Sequence, residues 1–303
     1  MTKDSKVSKA YNDIWATCPD VYKLIVDKDK DRKHFVEGSQ INRVFRAVLT
    51  FDHLRNELLP SSKILDIGCG LGFNTCYLST LGFDVNGFDA SEVGIERSKK
   101  LAIFLGLDPE IFVCANHNYL ESIESDSVDA VIGMGFIYYL DDKSRDKTYR
   151  EVFRILKKNG IFDLTLTNVL FDAFSLNNKS LDFWGATINE FSSAKNIIDQ
   201  NINELLAEHI IVPRRRVLKK SISNKFEIHA DNPLLYHEVA SKYGFMLEKI
   251  LYPDSHILPP FLEEKLDNNE IDRIKAECCV QKSSSWYGTF MDYEFLAFLR
   301  KNQ

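Results

Sequence analysis

Short apolar runs alternate with helical patterns five times between residues 63 and 167, and this alternation limits the fold more than any other feature of the chain. Such runs predict buried strands, each followed by a helix that returns the chain to the same edge of a sheet. The predicted strands are Lys63–Ile67, Asp84–Phe88, Ile111–Ala115, Val128–Gly133 and Ile161–Thr167. The sequence therefore predicts an α/β fold with a doubly wound, mostly parallel sheet.

Helical spacing of apolar residues predicts the remaining elements on either side of these strands. The predicted helices are Ser8–Trp15, Gln40–Leu58, Cys76–Leu81, Ser91–Leu105 with Ser91 as N-cap, Lys143–Leu156 and Leu234–Tyr243. Two further strands are predicted, over Phe245–Leu251 and, as a long aromatic strand, over Trp286–Leu299. We therefore expect a helical cap over 1–57, a core over 58–167, an inserted lid over 168–232 and a C-terminal completion of the sheet over 233–303.

Composition excludes several classes of protein and ligand. The formal net charge of −6 disfavours nucleic acid as a partner, because such a surface does not attract phosphate backbones over long range. No uncharged apolar run approaches the roughly 18 residues that a membrane span needs, and the first fifteen residues contain no secretory signal pattern. The six cysteines form no C-x-x-C pair, which argues against a metal site. We expect a cytoplasmic, metal-independent protein without nucleic-acid or membrane partners, and a homodimer is left open.

A glycine-rich turn follows the first predicted strand. Gly68, Gly70 and Gly72 let a backbone approach a ligand closely, with the next helix's N-terminal amides facing it. The spacing is G-x-G-x-G rather than the dinucleotide fingerprint G-x-G-x-x-G, and Asp66 precedes the first glycine by two residues. A carboxylate in that position suits an ammonium group better than a pyrophosphate. Asp89, at the end of the second strand, is placed to accept hydrogen bonds from both hydroxyls of a ribose.

These motifs resemble those of the class I S-adenosylmethionine-dependent methyltransferases. The segments that carry the resemblance are LDIGCGLG, GFDAS, VDAVIGMGFIYYLDD and EVFRILKKNGIFDLTL, in the family's order and spacing. It covers about residues 60–168 and, more loosely, 233–300. The resemblance implies a Rossmann-like sheet of seven strands and S-adenosylmethionine as cofactor. A lesser resemblance, carried by 226–235 and 243–245, is to family members associated with glycan and nucleotide-sugar pathways.

The resemblance also implies roles for individual residues. Asp66, Gly68 and Gly70 would line the methionine moiety, Asp89 would hold the ribose and Ala90 would lie against the adenine. Asn116, followed by His117, stands where the family usually has an Asp for the adenine amino group, and its carbonyl oxygen can accept the same hydrogen bond. Met134 would touch the sulfonium region. Tyr11 and Trp15 match aromatic residues that cap the cofactor, although a plain packing role is an equal alternative.

Catalytic candidates come from loops beyond the strand ends. Tyr138 and Tyr139 stand where many relatives carry a pair of histidines, so they would face the acceptor. His117 and His229 are candidate bases; the alternative is that each is an ordinary core or surface histidine. In-line alignment of acceptor and methyl group supplies most of such catalysis, and a base adds to it for an alcohol.

The acceptor is the least constrained part of this hypothesis. The basic strip of Arg214, Arg215, Arg216, Lys219 and Lys220 could clamp a phosphate or carboxylate, or could be a solvated face. Methylation of DNA bases is disfavoured because the N/D-P-P-Y/F signature is absent after the fourth strand. We expect methyl transfer to a hydroxyl of a sugar or nucleotide sugar. N-methylation of a small amine, a non-catalytic cofactor-binding partner protein and an NAD-linked oxidoreductase are the alternatives.

Overall fold

The computed structural model describes residues 3–17, 40–175, 180, 228–253 and 286–302. Its strands are β1 (Lys63–Ile67), β2 (Asp84–Asp89), β3 (Phe112–Cys114), β4 (Val128–Gly133), β5 (Leu156–Asn168), β6 (Ala230–Asp231), β7 (Phe245–Leu251) and β8 (Glu294–Lys301). The α-helices of the described ranges are α1 (Lys3–Thr17), α2 (Gln40–Glu57), α3 (Phe73–Thr80), α4 (Glu92–Phe104), α5 (Asp142–Ile155), α6 (Val169–Phe174), α7 (Tyr236–Lys242) and α8 (Trp286–Met291). Short 3-10 helices span Pro109–Ile111, His117–Ser122 and Ile137–Tyr139.

One sheet organises the molecule, with strand order β3-β2-β1-β4-β5-β8-β7. Strands β1 to β5 are mutually parallel, and β8 runs antiparallel to both β5 and β7. The two-residue β6 adds an eighth strand beside the end of β5. The predicted mostly parallel, Rossmann-like sheet is confirmed. Its strand order reverses between β1 and β4, and in such sheets ligands bind beyond the carboxyl ends of the strands at this point.

Helices cover both faces of the sheet, because side chains alternate between the faces along each strand. On one face, Ala47, Phe51 and Leu54 of α2 pack against Ile64 and Ile132. On the other face, helices α5 and α7 pack against the alternate strand residues; the buried members include Tyr149, Val152, Ile155, Tyr236, Ala240, Leu65, Val131 and Phe162. The helix α2 is thus part of the main core.

A polar row along α2 joins this helix to the sheet. Its members, spaced three or four residues apart, lie on one helix face. Arg46 Nη1 lies 2.5 Å from Glu294 Oε2, Thr50 Oγ1 lies 3.7 Å from Met134 Sδ, and His53 Nδ1 lies 2.7 Å from Asp163 Oδ2. Glu57 Oε2, in the last turn, accepts from Arg300 Nη2 at 2.9 Å. Helix α2 is therefore held on the sheet by polar contacts as well as by apolar packing.

Local signals in the sequence account for several element boundaries. The predicted N-cap Ser91 is confirmed: its Oγ accepts a hydrogen bond from the backbone N–H of Gly94 at 3.0 Å, which satisfies one of the free amides of α4. The strand predicted over Ile161–Thr167 begins earlier, at Leu156, and Asn159 and Gly160 form an irregularity within it. Asn159 adopts φ +61°, and the pairing of β4 with β5 shifts register there.

The prediction of one aromatic strand over Trp286–Leu299 is wrong in its first half, where the chain forms α8. Tertiary contacts override the strand preference of the aromatic residues. The side-chain amide of Asn168 donates to the carbonyl oxygens of Thr289 and Asp292, at 2.8 and 2.9 Å. A Cβ on Gly288 would lie 2.5 Å from Tyr252 Cβ, so only glycine lets α8 approach the residue after β7 so closely. The strand β8 begins at Glu294.

Most of the expected lid lies outside the described residues, including the basic strip at 214–220. The two described ends of this segment meet at the sheet, because Asn168, the last residue of β5, pairs with Asp231 in β6. Among the described helices, none is long and apolar enough to cross a membrane.

Candidate functional site

The glycine turn after β1 is held against the end of β2. The backbone N–H groups of Gly68 and Cys69 donate to the carbonyl oxygen of Phe88 at 2.8 and 3.0 Å. Gly68 adopts φ +74°, and a Cβ there would lie 2.6 Å from the Phe136 ring. The turn therefore rests directly on the loop that follows β4, residues 134–141, which we call the β4 loop. A side chain at position 68 would be strained and would push the two loops apart.

Asp66 is buried beside this turn with one oxygen unsatisfied. Its Oδ2 accepts a hydrogen bond from Thr75 Oγ1 at 2.7 Å, while Oδ1 has no partner in the part of the chain that the structure describes. Burial raises the pKa of Asp66 from 3.8 to about 7, against the lowering effect of the Thr75 hydrogen bond. A buried carboxyl with a free oxygen fits an ammonium donor such as that of a methionine moiety.

Asp89 ends β2 and connects two loops. Its Oδ2 accepts from the Gly70 N–H at 3.0 Å and its Oδ1 from the Ser91 N–H at 2.8 Å. Burial raises the pKa of Asp89, and these two hydrogen bonds oppose that rise. An ionised carboxylate offers about four acceptor positions, so two remain for the hydroxyls of a ribose.

Helix α1 lies between the loop after β2 and the β4 loop. Ser8 Oγ donates to the Ala90 carbonyl oxygen at 2.6 Å, and Asn12 Oδ1 accepts from Ser91 Oγ at 2.6 Å. The Tyr11 ring meets the Tyr139 ring edge-on, with centroids 5.4 Å apart. Tyr11 is thus brought to the β4 loop. Trp15 belongs to α1, but its side chain is not among those described.

Other predicted cofactor residues are held by neighbouring groups. The Asn116 side-chain oxygen accepts from the Asn118 N–H at 3.0 Å and so caps a 3-10 helix that begins at the buried His117. One acceptor position of Asn116 remains for an adenine amino group. Met134 Sδ lies 3.7 Å from Thr50 Oγ1 and 3.6 Å from Thr165 Oγ1, between α2 and β5.

The β4 loop presents Tyr138 to a pair of residues that sequence reasoning missed. Tyr138 Oη donates to Glu294 Oε1 at 3.1 Å, and Glu294 Oε2 in turn accepts from Arg46 Nη1 at 2.5 Å. Burial raises the pKa of Tyr138 well above its usual range, and the charge of Glu294 adds to this effect. No local motif could have found this cluster, because Glu294 lies 156 residues from Tyr138 and 248 from Arg46 along the chain.

His229 reaches the same loop through its backbone. Its N–H donates to the Tyr138 carbonyl oxygen at 2.9 Å, and its own carbonyl oxygen accepts from Thr167 Oγ1. The imidazole Nε2 lies 3.3 Å from Asp142 Oδ1. The structure therefore brings together Tyr11, Tyr138, Tyr139 and the backbone of His229 at one loop. Within the described residues, no cluster of three or more His, Cys, Asp or Glu side chains could hold a metal ion.

A buried polar cluster supports the segment that carries His229. Arg145 Nη2 lies 2.6 Å from Asp231 Oδ1, and the hydroxyl groups of Tyr149 and Tyr236 lie 2.5 Å apart. The Arg145 guanidinium stands over the Tyr149 ring at 5.7 Å. This cluster joins β6 to α5 and was also not predicted.

Comparison with known proteins identifies the domain that contains the glycine turn. A family model described as a methyltransferase domain matches residues 65–164. Over 133 residues the chain is 26% identical to the sterol 24-C-methyltransferase ERG6A of Gibberella zeae, covering 43% of this chain and 34% of that protein. Over 162 residues it is 30% identical to the carboxy-S-adenosyl-L-methionine synthase of Shewanella loihica, covering 51% of this chain and 63% of that protein. The chain thus spans less than two thirds of each of these relatives.

A solved structure extends the likeness in fold. Magnesium protoporphyrin IX methyltransferase (ChlM) from Synechocystis PCC 6803, with bound SAM, superimposes with a TM-score of 0.51. The alignment covers 100% of this chain and 98% of that one at 10% sequence identity, so it bears on the fold alone. The glycine turn, the two acidic residues, the sheet order and the matching family model lead to one assignment. Residues 65–164 form a class I S-adenosylmethionine-dependent methyltransferase domain, and S-adenosylmethionine is its cofactor.

Proposed function

We propose that the whole protein is a methyltransferase that transfers a methyl group in line to a small polar acceptor, a hydroxyl of a sugar or nucleotide sugar. The observation that carries the proposal is the arrangement at the glycine turn, where Asp66 keeps a buried oxygen unpartnered and Asp89 bridges Gly70 and Ser91. We assign Asp66, Gly68 and Gly70 to the methionine moiety, Asp89 to the ribose, and Ala90 and Asn116 to the adenine. Bound S-adenosylmethionine supplies an activated methyl group on a sulfonium.

The chain's own residues would then position the acceptor and exclude water. The β4 loop leans on the glycine turn through Phe136, so an acceptor held by this loop would lie next to the cofactor. Helix α1 contacts both loops through Ser8 and Tyr11 and would close the site from above. Alignment of this kind lowers a barrier by roughly 7–11 kcal/mol.

The acceptor assignment depends on three polar side chains, one in the β4 loop and two that are connected to it by hydrogen bonds. Tyr138, Glu294 and Arg46 offer a hydroxyl, a carboxylate and a guanidinium at the carboxyl edge of β5. Such a set suits a hydroxyl-rich acceptor that can both donate and accept hydrogen bonds. The same tyrosines and carboxylate also favour the second candidate, N-methylation of a small amine, because aromatic faces and a carboxylate attract a cation.

Isothermal titration with S-adenosylmethionine and S-adenosylhomocysteine tests the cofactor assignment. Wild-type protein should bind both, and Asp89→Ala should bind about 10–100-fold more weakly, because hydrogen bonds to a charged group contribute about 1.5–3 kcal/mol. Asp84→Ala, an exposed residue at the start of the same strand, is the matched control and should bind like wild type. Absence of binding by the wild type, or unchanged binding by Asp89→Ala, would refute the proposal.

Transfer itself is tested with radiolabelled S-adenosylmethionine and a panel of acceptors. The hydroxyl acceptors are UDP-glucose, methyl α-D-glucopyranoside and catechol, and the amine acceptor is phenethylamine. Methylation of UDP-glucose or of the glucoside supports the first candidate, and methylation of the amine alone supports the second. Methylation of catechol alone would contradict a sugar acceptor. Cofactor binding without any transfer would favour the non-catalytic alternative.

A further inference from the structure

Three side chains from distant parts of the chain form a connected row at the carboxyl edge of the sheet. Arg46 comes from α2, Tyr138 from the β4 loop and Glu294 from the first position of β8, opposite Thr167. The side chains of Arg46 and Glu294 are 13% and 14% exposed, so the pair is shielded from solvent without being sealed from it. The row connects the β4 loop, which we expect to hold the acceptor, with the carboxylate of Glu294.

The hydroxyl of Tyr138 is one end of this row, and Glu294 lies between it and Arg46. It donates its proton to Glu294, and no group in the described ranges donates a hydrogen bond to its oxygen. A phenolic oxygen retains acceptor capacity when it donates, so an acceptor hydroxyl could bind there. Gly135 packs against this hydroxyl, since a Cβ at that position would lie 3.0 Å from Tyr138 Oη.

The charges of the row fit a proton acceptor at its middle member, Glu294. Burial and the neighbouring carboxylate raise the pKa of Tyr138, so this phenol keeps its proton near neutral pH and cannot act as a base alone. A neutral phenol can still relay a proton if it accepts a proton from one group while it donates its own proton to another. The Glu294 carboxylate, paired with a guanidinium, is the charged group within its reach.

We propose that Tyr138 and Glu294 form a proton relay for the acceptor hydroxyl, with Arg46 as a positioning residue for Glu294. The acceptor O–H proton passes to Tyr138 Oη while the phenolic proton passes to Glu294 Oε1. The acceptor oxygen forms its bond to the methyl carbon as the carbon–sulfur bond breaks, and the sulfur keeps the electron pair. The products are a methyl ether, S-adenosylhomocysteine, neutral Tyr138 and a protonated Glu294, which then releases its proton to solvent. The inference rests on the proposed function.

The variants that test the relay are Tyr138→Phe and Glu294→Gln, which remove one relay atom each with little change of shape. Two other pairs in the chain serve as matched controls. Glu248→Gln breaks a pair with Arg300 at the same 2.5 Å, and Tyr243→Phe removes a hydroxyl that donates to Asp146 at 3.0 Å. Thermal unfolding of each variant checks that it folds.

With the hydroxyl acceptor that the wild type methylates, the relay predicts that kcat falls 10²- to 10⁴-fold in both relay variants. The affinity for S-adenosylhomocysteine should stay within about threefold of wild type, and KM should rise by no more than about tenfold, the effect of one lost hydrogen bond. Both controls should resemble wild type. The double variant should be no slower than the slower single variant, because the two residues act as a unit. A Glu294→Gln enzyme with a kcat within threefold of wild type would overturn the relay while leaving the methyltransferase proposal intact. Failure of the wild type to methylate any acceptor would count against both.

A binding measurement tests the relay without turnover. The probe is 4-nitrophenol added to the protein saturated with S-adenosylhomocysteine, because its phenolate form absorbs at longer wavelength than the phenol. A site that takes the proton of a bound hydroxyl should raise the phenolate fraction below the probe's own pKa, and both relay variants should lose this signal. Absence of the signal from the wild type, or its persistence in Glu294→Gln, would contradict the relay.

Discussion

His53 Nδ1 in α2 lies 2.7 Å from Asp163 Oδ2 in the middle of β5. The Asp163 side chain, which has no exposed surface, is thereby in contact with an imidazole. Burial raises the pKa of Asp163 from 3.8 to about 6, although the hydrogen bond and the charge of His53 lower it. Burial works against a charged imidazole, yet the hydrogen bond and charge of Asp163 outweigh it and raise the pKa of His53 above 6.5. Both groups therefore hold a proton more tightly in the folded protein than in the unfolded chain.

The first prediction concerns the pH dependence of stability. Folding takes up a proton at Asp163 between pH 3.8 and about 6, so the free energy of unfolding should fall as the pH rises through this window. The contribution of His53 is present below pH 6.5 and is lost as the pH rises through its raised folded pKa. Asp163→Asn should make the free energy of unfolding less dependent on pH between 3.8 and about 6. Urea denaturation across this range measures the effect.

His53→Gln provides the contrast for this prediction. It removes the contacts that lower the pKa of Asp163, so the range in which the free energy of unfolding falls with rising pH should extend to higher pH. The loss of stability near neutral pH should be roughly 1–3 kcal/mol, as expected when a buried group loses its partner. Equal pH profiles in wild type, Asp163→Asn and His53→Gln would show that this pair does not titrate between the two states.

The second prediction compares two glycines that share a positive φ. Gly68→Ala should cost roughly 2–5 kcal/mol, because the strain at φ +74° is joined by a clash of the new Cβ with Phe136. Gly82→Ala, at φ +93° with nothing within 4 Å, carries strain alone and should cost roughly 1–2 kcal/mol. Only Gly68→Ala should weaken S-adenosylhomocysteine binding, by more than tenfold in titration calorimetry. Equal effects of both changes would contradict the close packing of the two loops.

The parts of this structure that sequence predicted are those encoded locally. The strand runs, the glycine turn and the Ser91 cap each depend on residues within a few positions, and the sheet that they predict is present. The helix at Trp286–Met291 was mistaken for strand because its contacts with Asn168 and Tyr252 come from far along the chain. The cluster at Glu294 was missed for the same reason. Arg46, Tyr138 and Glu294 are far apart in the sequence and form no motif, and only the folded sheet brings them together.

The third prediction distinguishes two arginines of α5. Burial disfavours the charged Arg145, but the neighbouring Tyr149 and Asp231 outweigh this effect and raise its pKa. Arg145→Ala should lower the free energy of unfolding by about 3–5 kcal/mol, because it leaves a buried carboxylate without its partner. Arg150→Ala removes an exposed i,i+4 pair with Asp146, which water and salt screen, and should leave the free energy of unfolding close to that of the wild type. Urea denaturation measures both, and similar values would argue that the Arg145 cluster does not support the 229–231 segment.

The fourth prediction concerns the protonation of Asp66 in cofactor binding. With a pKa of about 7, Asp66 is mostly neutral at pH 6 and mostly ionised at pH 8 in the free protein. If its unpartnered oxygen accepts the ligand ammonium, affinity for S-adenosylhomocysteine should rise about tenfold across this range, because the ionised fraction of Asp66 rises from about one tenth to about nine tenths. The homocysteine form is the better probe because its sulfur is uncharged. Asp66→Asn should bind weakly at both pH values, whereas Asp84→Asn should retain the wild-type rise. A flat profile in the wild type would remove Asp66 from contact with the ammonium group.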